Sequence, residues 1–106
     1  MGDAPDKPNP KGFIDLSKKI IGDKLGESNI PIAYVGDTIA DINTVMNARK
    51  EIPSQKFISI GKAPPHLHVH SRLKERNSYE ANLRNAGANL ILNSIYDLKD
   101  INLDLF

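Results

Sequence analysis

No cysteine occurs among the 106 residues. Disulfides, thiolate metal sites and a cysteine nucleophile are therefore excluded. No charge of one sign dominates either, since 14 Lys and Arg face 13 Asp and Glu. The basic footprint expected of a nucleic-acid-binding chain is missing, so no nucleic-acid partner is expected. No apolar run nears the ~20 residues of a membrane span, and MGDAPDKPNP lacks the apolar core of a signal peptide. The reading is no membrane partner and a cytoplasmic protein. There is no internal repeat and no low-complexity tract. An apolar share of 40% with 25% charged residues suits one soluble globular domain, residues 1–106.

What is present centres on Ile32 to Arg49, IAYVGDTIADINTVMNAR. Ile32-Ala33-Tyr34-Val35 is short, apolar and rich in β-branched or aromatic residues, which predicts a buried strand. Gly36 breaks the run, and Asp37 and Thr38 follow. From Ile39 the apolar period becomes helical, with Ile39, Ile42, Val45 and Met46 on one stripe. Strand, Gly-Asp turn and helix form the first half of a βαβ unit. Asp37 then lies at the carboxyl end of a strand, where open α/β sheets bind ligands. Asp41 follows about one helical turn later, so it can face the same pocket. Two carboxylates there make a hard-oxygen site suited to Mg²⁺. The plainer alternative is a helix cap and an acid near the positive end of the helix dipole. Thr38 has a cap role open to it as well as a phosphate hydrogen bond.

Upstream, Asn9-Pro10 predicts a helix start, with Phe13, Leu16 and Ile20 on its inner side. Gly22 to Pro31 ends that helix. Downstream, Lys56 to Ile60 reads as a second strand, and Asn77-Ser78-Tyr79-Glu80 resembles a capping box opening a short helix. Tyr79, Leu83 and Ala86 form its stripe, with Arg84 outside. Asn89 to Leu92 reads as a third strand, and Ser94-Ile95-Tyr96-Asp97 opens a last short helical segment. Between them, Lys62 to Asn77 carries Pro64, Pro65, three His and the basic residues Lys62, Arg72, Lys74 and Arg76. If extended, that stretch would point His66, His68 and His70 the same way as a Zn²⁺ or Ni²⁺ site. The same basic residues could instead hold an anion, and a solvated basic loop is the favoured reading. About three strands alternating with helices predict an α/β fold with a parallel sheet.

Two of these stretches resemble one family. Gly36-Asp37-x-x-x-Asp41 at a strand end is similar to the fourth motif of the haloacid dehalogenase (HAD) superfamily, mostly Mg²⁺-dependent phosphatases. Lys7-Pro8-Asn9-Pro10 followed by Phe13 resembles that family's lysine motif, K-P-x-P-x-x-F. Tyr79 to Leu92 is similar to the last helix and strand of many such phosphatases. The resemblance implies a three-layer, Rossmann-like sheet, present here in part as the C-terminal half of the core. It implies Asp37 and Asp41 as metal ligands for Mg²⁺, Lys7 as the catalytic, charge-offsetting residue, and Lys7 and Thr38 as phosphate-binding residues. The substrate class implied is a small phosphorylated metabolite.

The family's first motif, D-x-D-x-T/V, carries the aspartate nucleophile, and these 106 residues do not contain it. Phe57-Ile58-Ser59-Ile60 looks like the second motif but falls after the fourth. The expectation is part of a Mg²⁺-dependent phosphomonoester hydrolase, inactive as this chain alone. The nucleophile's strand would lie beside Ile32 to Val35, so its absence would leave an open apolar edge. Either a homodimer or a missing N-terminal half is expected to cover it. The alternative is a non-catalytic, self-associating or partner-binding module derived from the same fold.

Overall fold

The computed structural model describes residues 9–22, 25–26, 30–93 and 101. Its elements run α1 (Lys11–Ile21), β1 (Ile32–Gly36), α2 (Ile39–Glu51), β2 (Phe57–Gly61), two 3₁₀ turns (Pro65–Leu67 and His70–Arg72), α3 (Leu73–Ala86) and β3 (Leu90–Ile91). The three strands are parallel in the order β1-β2-β3. The expected α/β alternation and the partial Rossmann-like parallel sheet are therefore present. Both crossovers step the same way across the sheet, and right-handed connections then place α2 and α3 on one face. The two helices do touch, and α1 packs against α2.

The sheet is buried unevenly. β2, in the middle, is buried at all five residues, whereas every residue of β1 is only half-buried. The expected buried strand at Ile32–Val35 is thus an edge strand, with β2 as its one neighbour among the described residues. Ile32 donates its amide to the Lys56 carbonyl at 2.9 Å, and Lys62 donates to the Gly36 carbonyl at 3.0 Å. Ile32, Tyr34 and Gly36 therefore direct their backbone groups toward β2, and alternation turns those of Ala33 and Val35 off the edge.

One face of the sheet carries Ile14, Val45, Ala48 and Phe57, with Phe13, Ile32, Tyr34 and Ile52 packed around them. Phe13 meets the Tyr34 ring edge-on, with ring centroids 5.1 Å apart, and leans on Phe57 at 5.2 Å. The other face gathers Ile58, Ile60 and Leu92, with Ala33, Val35, Leu90 and Ile101. Arg49 ties α2 to the sheet by donating from Nε and Nη2 to the Phe57 carbonyl, and from Nη2 to Asn89 Oδ1 at 2.6 Å. Burial lowers the Arg49 pKa from its ordinary value. Asn89 Oδ1 also accepts from the Ser59 amide, so one side chain closes both the α2 and the β3 side of β2. Losing one such charge-assisted bond costs about 1.5 to 3 kcal/mol.

Four local expectations are corrected. In α1 the buried positions are Ile14 and Ser17, while Leu16 and Ile20 stand 55% and 70% exposed. The inner stripe runs through Phe13, Ile14 and Ser17 instead, because the aromatic pair with Tyr34 sets the helix's rotation. Ile39 at the start of α2 is 48% exposed, and Ile42, Val45 and Ala48 form its buried stripe. α3 begins at Leu73, four residues before the proposed capping box, by continuing out of the preceding 3₁₀ turn. Glu80 accepts from Arg76 Nε at 2.9 Å rather than capping the backbone. At Asn9 the chemistry holds and only the boundary moves: its side chain accepts from the Lys11 amide at 2.9 Å. Lys7 and Ser94–Asp97 lie outside the described residues.

Candidate functional site

β1 and β2 end in register, Gly36 beside Gly61, so the next residues, Asp37 and Lys62, leave the sheet side by side. Adjacent strands lie ~4.8 Å apart, which brings a carboxylate and an ammonium to the carboxyl edge of the same sheet. They open on a cleft of about 360 Å³ lined by Tyr34, Val35, Gly36, Asp37, Asp41, Lys62, Ala63, Pro64 and Pro65. Asp37 is exposed, and Lys62 is half-buried.

Asp41 is only 2% exposed, and its carboxylate is engaged on both oxygens. Oδ2 accepts from the Asp37 amide at 3.0 Å, the Thr38 amide at 3.1 Å and the Thr38 hydroxyl at 2.9 Å. Oδ1 accepts from the Tyr34 hydroxyl at 3.0 Å. Thr38 Oγ1 accepts in turn from the Asp41 amide, which completes a capping box at the start of α2. The sequence places this cap three residues ahead of Asp41, the spacing of a cap and its N3 acid. Gly36 makes the arrangement possible. A side chain there would place its Cβ inside contact distance of Asp41 Cβ and 2.6 Å from Cγ.

The structure thus brings Asp37 and Asp41 to one cleft in different roles. Asp37 offers its carboxylate outward, and Asp41 lies beneath and fixes the turn that carries it. Thr38 sits between them, with its hydroxyl committed to the cap. Asp37 is held from a second side, since the Tyr79 hydroxyl of α3 donates to its carbonyl oxygen. The Tyr79 pKa is raised, first by burial and then by the charges of Asp37 and Asp41. Tyr79 was legible in the sequence only as a helix-stripe residue. A contact across 42 positions leaves no local pattern by which to find it.

The three histidines do not share a face. Pro65–Leu67 and His70–Arg72 are 3₁₀ turns, so the stretch is not extended. His68 Nε2 lies 2.8 Å from the Ala63 carbonyl. Among the described residues no group of three His, Asp or Glu is placed to hold a metal ion. Lys62, grouped by sequence with the basic loop, belongs instead to the cleft. Its nearness to Asp37 comes from the register of β1 and β2, which its sequence neighbours do not encode.

No family model matches the chain, and no curated protein or solved structure matches it. Among the described residues no helix is long and apolar enough to cross a membrane.

Proposed function

We propose that this cleft is the cation and phosphate end of a HAD-like phosphomonoesterase site, of which the chain carries the C-terminal part. The observation that supports the reading is Asp37: an outward carboxylate at a strand's carboxyl end, on a turn braced by Asp41 below and Tyr79 beside it. Mg²⁺ favours one or two carboxylates, with water and phosphate oxygens completing its shell. A single outward carboxylate at the edge of a cleft fits that preference. Asp37 would hold the ion, with Asp41 keeping the turn in place from beneath. Bound Mg²⁺ would supply Lewis-acid stabilisation of a phosphoryl group. Lys7, by the same resemblance, would offset charge on that group, and Thr38 would cap the turn beneath it. The aspartate nucleophile of the family is not in this chain, so Mg²⁺ binding is expected here without phosphate release.

The test is a Mg²⁺ titration followed by amide NMR. Gly36, Asp37 and Thr38 resonances are expected to move saturably, and Asp37→Asn is expected to weaken binding by more than about tenfold. Equal shifts in wild type and Asp37→Asn would overturn the reading.

The edge of β1 favours a second reading, a self-associating module. Ala33 and Val35 present their outward backbone groups in a register that a second β1 meets about a two-fold axis at Tyr34, Ala33 opposite Val35. Sedimentation analysis decides it: a dimer dissociated by Val35→Pro supports it, and a monomer at every concentration removes it.

A further inference from the structure

The cleft contains two carboxylates, and the donors of the turn between them are already spent. The Asp37 and Thr38 amides, which a helix start would otherwise offer to an anion, both donate to Asp41, as does the Thr38 hydroxyl. Among the described residues Lys62 is the cation that lines the cleft. Among the described residues its ammonium enters no ion pair, whereas Arg76 and Arg72 of the neighbouring basic stretch are paired with Glu80 and Glu75. Its backbone is fixed at the site by the bond from its amide to the Gly36 carbonyl.

The wall facing these charges is apolar and anchored. Ala63 is buried, and its carbonyl is met by His68 Nε2 at 2.8 Å. The Leu67 amide donates to the Pro64 carbonyl at 3.0 Å, and the Leu67 side chain is 5% exposed. Pro64 and Pro65 thus stand on a pinned turn with few conformations to lose when something packs on them. A volume of about 360 Å³ lies at the small end of ligand sites, which run from ~300 to ~1,000 Å³.

We propose that Lys62 is an anion-binding residue of this cleft, beside the role the resemblance gives Lys7. Its ligand is a small phosphomonoester whose compact, weakly polar alcohol part rests on Pro64 and Pro65. The assignment rests on the phosphomonoesterase reading for its ligand class, and its geometry comes from Lys62 and the wall alone. Because Asp37 and Asp41 repel an anion, phosphate binding is expected to strengthen when Mg²⁺ is present.

The experiment titrates inorganic phosphate, and separately phenyl phosphate, into the full chain with and without Mg²⁺, followed by amide NMR. Wild type, Lys62→Ala and Lys62→Arg are compared, with Mg²⁺ alone titrated into each. Lys62→Ala is expected to weaken phosphate binding by about tenfold or more, the scale of one charge-assisted hydrogen bond. Its response to Mg²⁺ alone is expected to persist. Lys62→Arg is expected to bind phosphate, and phenyl phosphate to bind wild type more tightly than inorganic phosphate. Unchanged phosphate binding in Lys62→Ala overturns the assignment while leaving the cation reading standing. A Lys62-dependent phosphate site with Asp37 indifferent to Mg²⁺ supports the assignment and removes the cation reading. Wild type that binds neither phosphate, or that binds phenyl phosphate the more weakly, overturns the role given to Lys62 or to the wall respectively.

Discussion

Asp41→Ala is expected to remove about 3 to 4 kcal/mol of stability, the largest loss of any single side chain at the site. The carboxylate serves as acceptor for two backbone amides and two hydroxyls, from Asp37, Thr38 and Tyr34. An N-terminal cap is worth ~1 kcal/mol, and each buried donor left without an acceptor costs ~1 to 3 kcal/mol. The full sum is not expected, because the cleft lets water reach the Thr38 and Asp37 side of the turn. For a domain of this size ~4–8 °C is lost per kcal/mol, so the thermal midpoint should fall by about 12 °C or more. Asp41→Asn should fall between the two, since one oxygen still accepts while the amide nitrogen meets a donor. Added Mg²⁺ should restore neither variant, because the defect lies in the turn and not in a missing ligand. A loss under about 1 kcal/mol in Asp41→Ala would mean that water satisfies these donors, and the carboxylate would regain a claim as a direct ligand.

The central unit was legible because its signals are local. An apolar run, a glycine and the onset of helical spacing lie within Ile32 to Arg49, and they became β1, the turn and α2. What sequence alone could not divide was the labour between Asp37 and Asp41. Both are acids at suitable spacing, and only burial separates the outward group from the bracing one. α1 shows a second limit. Phe13, Ile14, Leu16, Ile20 and Ile21 give the helix more than one apolar stripe, and its rotation is chosen by Tyr34 and Phe57, distant in sequence. The histidine alternation carried information only for an extended chain, and the turn starting at Pro65 removed that premise. Lys62 and Tyr79 reach the site through strand register and helix docking, which no window of neighbouring residues contains.

Gly36→Ala is expected to cost about 2 to 3 kcal/mol although the residue has no unusual backbone conformation. Among the described residues the glycines with positive φ are Gly22, Gly26 and Gly87, and Gly36 is not among them. Alanine in a strand with ordinary φ would by itself stabilise slightly, by ~0.4–1 kcal/mol, through the unfolded chain. The expected sign is opposite because the new methyl group would overlap Asp41 Cβ, with Cγ at 2.6 Å and Oδ2 at 2.7 Å. Those atoms cannot swing aside: Cβ is fixed to the α2 backbone, and the carboxylate is held by its donors. Relief requires α2 to move away from β1, which would also loosen Val45 and Ala48 from the core they share with Phe57. A double-mutant cycle isolates the cause. In an Asp41→Ala background Gly36→Ala should still be costly, since Cβ remains. In an Asp41→Gly background the extra cost should vanish, although that background is itself weakened by the loss of the cap. Denaturant midpoints of the five variants and wild type measure all the terms. An equal cost of Gly36→Ala in all three backgrounds would place the clash elsewhere, and close contact with Asp41 would no longer explain the glycine.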